Sequence, residues 1–151
     1  MNHNAFMEEA LREAQLAYQK NEVPIGAVIV INGEIIARAH NLRESSQTTA
    51  SHAEMLAIQK ANEVTGFWRL DEAILYTTVE PCMMCAGTIV QSRIKTVVYG
   101  ATDAKAGCAG TIFNLLAEAR FNHQCEVIAG VLATKSQQLL KRFFKELRQG
   151  S

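Results

Sequence analysis

Two short stretches of this 151-residue sequence set metal-binding and proton-carrying side chains at spacings that could do chemistry: His52-Ala53-Glu54 and Pro81-Cys82-Met83-Met84-Cys85. Each opens a predicted helix just after loop or strand. Cys82 and Cys85 are three apart, so within a first helical turn both sulfurs can face one ion. Pro81 helps fix the start of that turn, and the positive end of a helix favours the thiolate that a metal requires. With His52 the set becomes two soft thiolates and an imidazole, which zinc in a tetrahedral site matches best. A fourth protein ligand would make the site structural, and a water there would make it catalytic.

Glu54 bears on that choice. Two residues beyond His52, it can lie beside the ion without binding it and accept a proton from water. Zinc with two thiolates and a neutral imidazole carries no net charge, so it acidifies water less than an all-imidazole site would, and a nearby base is needed. Cys-x-x-Cys by itself also fits a redox pair or half of a structural zinc clip. Cys108 and Cys125 could each supply a fourth ligand or simply be buried thiols.

The elements that must position these residues can be read from periodicity. Met7, Leu11, Ala14 and Tyr18 recur at helical spacing and predict a first helix ending near Asn21, before Pro24. Ala27 to Ile31 is a β-branched run, Asn32-Gly33 is a type I′ hairpin signal, and Glu34 to Arg38 returns as a second strand. Ala53 to Asn62 reads as a helix, Ala73 to Thr78 as a strand, Met83 to Ser92 as a helix and Thr96 to Gly100 as a strand. A Gly/Ala-rich stretch over 103–110 precedes a short helix, a strand near Glu126 to Val131, and a last helix with Leu140, Phe143, Phe144 and Leu147 on its apolar face. This alternation predicts an α/β fold in one domain over 1–151, a three-layer α/β/α sandwich on a central mixed five-stranded sheet.

An apolar fraction of 48% with 20% charged residues argues for a packed interior and against a disordered or fibrous chain. The polar, acidic start lacks the pattern of a secretory signal, and no apolar run would span a bilayer. No membrane association and a cytoplasmic location are therefore expected, where four cysteines serve as ligands or thiols rather than disulfides. Formal net charge is zero, which counts against strongly electrostatic nucleic-acid binding. The charge is uneven, however: residues 1–22 hold two basic and four acidic side chains, and residues 134–150 hold five basic and one acidic.

The paired H-x-E and P-C-x-x-C motifs form the signature of the zinc nucleobase deaminases. Further stretches extend the likeness: Glu22-Val23-Pro24-Ile25-Gly26-Ala27-Val28, Glu80 to Gly87, Ser92-Arg93-Ile94, Phe121-Asn122-His123 and Phe143-Phe144. Over nearly its whole length the chain resembles the bacterial tRNA adenosine deaminases of the cytidine-deaminase-like superfamily. The resemblance implies that fold, one zinc ion per subunit held by His52, Cys82 and Cys85, and a homodimer. It implies hydrolytic conversion of the wobble adenosine of an arginine tRNA to inosine, with water activated at zinc attacking C6 and Glu54 as proton shuttle.

By the same similarity, Asn41 would hydrogen-bond the flipped purine, Ile25 and Ala53 would shape the base pocket, and the Cys82 amide would orient the attacking water. The loop Asp103 to Gly107, with Lys105, and the pair Asn122-His123 would hold nucleotides flanking the target. Phe144 would pack against an extruded neighbour in the anticodon stem-loop, the way single-stranded RNA is commonly read. Plainer roles exist beside these: Asn41 as a turn cap, His123 as a loop residue, and Lys141, Arg142, Lys145 and Arg148 as a solvated helix face. Thr49-Ala50-Ser51 stands where the family usually has Pro-Thr-Ala, and Gly150-Ser151 stands where many relatives continue with a basic tail. Two rival readings remain: a deaminase of a free base or nucleoside of guanine or cytosine type, which near-zero charge favours, and a zinc-stabilised RNA-binding module without catalysis.

Overall fold

The computed structural model describes residues 2–150; Met1 and Ser151, the outermost residues of the two ends read above, lie outside the described residues. Asn2 caps the first helix, α1 (His3–Gln19), its side-chain oxygen accepting the Ala5 N–H at 3.1 Å. Strands β1 (Gly26–Ile31) and β2 (Glu34–His40) follow. Between them Asn32 and Gly33 both take positive φ, 51° and 78°, the type I′ geometry that the Asn-Gly pair predicts. Next come α2 (Arg43–Ser46), α3 (Ala53–Thr65), β3 (Ile74–Val79), α4 (Met83–Gln91) and β4 (Thr96–Ala101). A single 3-10 turn (Leu115–Ala117) leads to β5 (Glu126–Ile128) and α5 (Ala133–Gln149).

The strands lie in the order β2-β1-β3-β4-β5, antiparallel on the β2, β1, β3 side and parallel from β3 to β5. This is the mixed five-stranded sheet expected, and the pleat separates its two faces. Val28, Val30, Tyr76 and Val98 pack with Met7 and Leu11 of α1. Ala27, Ile29, Leu75 and Val97 pack with Ala57 and Ile58 of α3 and Ile89 of α4. Helices α1 and α5 therefore cover one face and α3 and α4 the other. Among the described residues no helix is long and apolar enough to cross a membrane.

Two local expectations need correction. Strand β5 stops at Ile128, not near Val131, because Gly130 turns the chain at φ 82° and the Val131 N–H donates instead to Tyr99 O at 3.2 Å. The buried line of α5 is Ser136, Leu139 and Phe143, with Leu140 only half-buried and Phe144 and Leu147 exposed. The helix is rotated so that Ser136 faces Gly100 of β4, where a Cβ would come within 2.8 Å of the Ser136 Oγ. The short α2 in the loop before His52 has no counterpart in the sequence periodicity.

Candidate active site

His52 and Cys82 are the N-cap residues of α3 and α4, both in extended backbone, and Cys85 lies in the first turn of α4. Two helix starts thus converge at one edge of the sheet, where β3 ends. The His52 Nδ1 lies 3.6 Å from the Cys82 sulfur and 3.5 Å from the Cys85 sulfur, and all three ligand atoms fall within 4.8 Å of one another. Zinc bonded at about 2.3 Å to sulfur and about 2.05 Å to nitrogen at the tetrahedral angle sets such S···N separations at about 3.5–3.6 Å, so the donors fit that ion. Hydrogen bonding from Cys85 holds the Cys82 thiol down at about 3, with His52 acting the same way, while the bond with Cys82 together with burial pushes Cys85 up. Among the described residues the cluster has these three members, and buried Cys108 and Cys125 are not among them.

Glu54 sits in the first turn of α3, 4% exposed, and burial pushes its carboxyl up to about 7, with nearby Cys82 acting in the same sense. It is a buried acid beside the metal corner and outside its ligand set, poised to take and return a proton near neutrality. Ala53 is fully buried between His52 and Glu54.

Ile25 is half-buried against the same core, and its carbonyl accepts the Asn41 N–H at 3.0 Å. The neighbouring Gly26 is pressed by α1, where a Cβ would lie 2.1 Å from Ala10 O, so α1 fixes where Ile25 stands. Buried Asn41 donates Nδ2 to Val23 O at 3.3 Å and accepts the Arg43 N–H at 3.1 Å, the turn-capping role. One amide hydrogen and one oxygen lone pair remain for a ligand.

The 103–111 loop lies against the P-C-x-x-C motif, with the Cys108 N–H donating to Pro81 O at 2.9 Å. Asp103 closes a turn by accepting from the Lys105 and Ala106 amides. Lys105 is exposed and lines a groove of about 650 Å³ with Leu140, Lys141, Phe144, Lys145 and Arg148 of α5. Arg142 faces elsewhere, donating to the Tyr18 hydroxyl at 3.2 Å and lying 4.7 Å over that ring.

The structure does not bring Asn122 and His123 to this edge. His123 donates Nε2–H to Ile94 O at 2.7 Å. Ile94 lies just before β4, beside the start of β3, whereas Cys82 follows the end of β3. Six strand residues, about 20 Å, separate the two.

Sequence reasoning missed two buried carboxylates that anchor loops around the site, Glu22 and Glu80, each within two residues of a proline. Glu22 accepts the Glu44 N–H at 3.1 Å, the Ser45 N–H at 2.5 Å and the Ser45 hydroxyl, pinning α2 and the loop that leads to His52. Glu80 does the same for the 103–111 loop. Burial alone would raise both carboxyls, but the converging donors outweigh it and hold them below the ordinary carboxylate range. A carboxylate one or two residues before a proline was the available signal.

A mixed sheet with a His/Cys/Cys corner and a buried non-ligand carboxylate defines the class of metal-dependent base deaminases. The chain belongs to the MafB19-like deaminase family, whose model matches residues 1–148. It is 59% identical, over 95% of its length and 89% of the relative's, to the tRNA-specific adenosine deaminase of Bacillus subtilis (strain 168). A solved structure from work on A-to-I editing by tRNA:A34 deaminases superposes at TM-score 0.87 with 40% identity, covering 90% of this chain and 99% of that one. Guanine deaminase from Bacillus subtilis superposes at TM-score 0.66 with 42% identity, covering 74% and 71%.

Proposed function

We propose that this chain hydrolytically deaminates adenosine to inosine at the wobble position of an arginine tRNA, as a cytoplasmic homodimeric enzyme with one zinc ion per subunit. The observation that carries the reaction class is Glu54, a buried carboxyl beside the His52, Cys82 and Cys85 cluster and outside that set of candidate ligands. His52, Cys82 and Cys85 would hold the ion, which when bound supplies the Lewis acidity that makes water a nucleophile at neutral pH. Glu54 takes the proton from the attacking water as the new C–O bond forms at C6. It passes that proton to ring N1, then takes the proton of the new C6 hydroxyl and delivers it to the amine, so that the C6–N bond breaks, ammonia leaves and the C6 carbonyl of inosine forms.

Ile25 and Ala53 wall the base pocket, and Asn41 offers its remaining amide hydrogen and lone pair to the purine edge. The basic groove of Lys105, Lys141, Phe144 and Lys145 suits the phosphates and an unstacked base of an anticodon stem-loop. Asn122 and His123, expected to hold nucleotides flanking the target, lie a strand's length from this corner. The 59% identity to a tRNA-specific adenosine deaminase, and a superposition on the tRNA:A34 deaminase at TM-score 0.87 against 0.66 for the Bacillus subtilis guanine deaminase, support RNA over a free base.

The test is inosine formation by zinc-loaded protein on an arginine-tRNA anticodon stem-loop, beside free adenosine, guanine and cytosine and a Glu54→Ala control. Conversion of the stem-loop alone, absent in the control, is expected. Turnover of a free base alone would move the protein to nucleotide salvage.

A further inference from the structure

Glu80 is 3% exposed and stands between β3 and Pro81, two residues before a metal ligand, yet its side chain belongs to a different part of the chain. Its Oε1 accepts the Asp103 N–H at 3.0 Å and the Thr111 hydroxyl at 2.5 Å. Its Oε2 accepts the Ala109 and Thr111 N–H groups, each at 3.0 Å. Gly107 closes over the carboxylate so tightly that a Cβ there would lie 2.4 Å from Oε1. Three of the four donors are backbone amides from both ends of one loop, so only an acceptor with two oxygens can satisfy them together. This is the loop that presents Lys105 to the basic groove.

We propose that Glu80 is a positioning residue for substrate: it locks the 103–111 loop, and with it Lys105, to the metal corner so that a nucleotide beside the target is held in register. What the loop holds rests on the RNA-deaminase reading; that Glu80 holds the loop does not. A glutamine is the same size but must turn an N–H toward either the Asp103 amide or the Ala109 and Thr111 amides. Two donors then face each other in a buried space, and the loop loosens at that point.

The test uses the zinc-loaded full chain and the Glu80→Gln variant, with KM and kcat on the anticodon stem-loop, zinc content, and amide hydrogen exchange at Asp103, Ala109 and Thr111. The expected result is faster exchange at those amides, one zinc per chain retained, and a rise in KM of about tenfold or more that exceeds any fall in kcat. Should Glu80→Gln fail to fold, Gly107→Ala leaves the carboxylate intact and pushes the loop off it, and the same KM rise is expected. Unchanged exchange would overturn the proposal. So would a loss falling on kcat and zinc content with KM unmoved, which would make Glu80 a support of the metal motif alone. If the unaltered protein does not convert the stem-loop, the RNA reading falls, while the exchange rates still decide whether Glu80 holds the loop.

Discussion

His52, Glu54, Cys82 and Cys85 reach the metal corner from the first turns of two helices packed on a buried sheet, whereas Lys105, Lys141, Phe144 and Lys145 line the neighbouring groove from an exposed loop and the exposed side of α5. The first group is fixed by local spacing plus core packing, with three ligand atoms within 4.8 Å of one another. The second is assembled from segments some 35 residues apart in the chain and held by one carboxylate. Chemistry should therefore be brittle to single substitutions at the corner, and affinity should be graded across the groove.

The largest effect that would sharpen this contrast is at Glu54. Glu54→Gln should keep zinc but lower kcat by about three orders of magnitude or more, read by inosine formation beside metal analysis; undiminished turnover would break the proposed proton path. Cys82→Ala removes a ligand rather than a base, so zinc content should fall well below one per chain, and melting temperature should fall with it. In the groove, Lys141→Glu with Lys145→Glu should raise KM for the stem-loop roughly 10- to 100-fold and flatten its salt dependence, with little change in kcat. Phe144→Ala should cost about 1–3 kcal/mol of binding if a base stacks on it, and equal KM would reduce Phe144 to a bystander. The smallest effect belongs to acid stability. The folded carboxyl of Glu22 lies below its unfolded value, so its contribution is present above the ordinary carboxylate range and is lost as pH falls through the folded value. Melting curves of Glu22→Gln and the unaltered chain should thus converge as pH drops below about 4.

How much was legible depended on the range of the interaction. The hairpin at Asn32-Gly33, the helix starts at His52 and Cys82, and the mixed sheet all follow from turn chemistry and period-2 or period-3.6 patterning, which act over a few residues. The face of α5 was misjudged by one helical position, since Phe144 and Phe143 are equally apolar and only the room left by Gly100 shows which side is buried. His123 was placed with the site on resemblance, but its ring is spent on Ile94 O at the far edge.

The sequence by itself picked out the candidate metal donors, the candidate base and the sheet, because ligand type, helix-start spacing and hydrophobic alternation are local properties of the chain. Only the tertiary structure decided that Glu22 and Glu80 are buried anchors, that Lys105 shares a groove with α5, and that Asn122 and His123 lie a strand's length from Cys82. Those facts depend on which loops meet across the top of the sheet, and a carboxylate's donors come from segments that no short window contains.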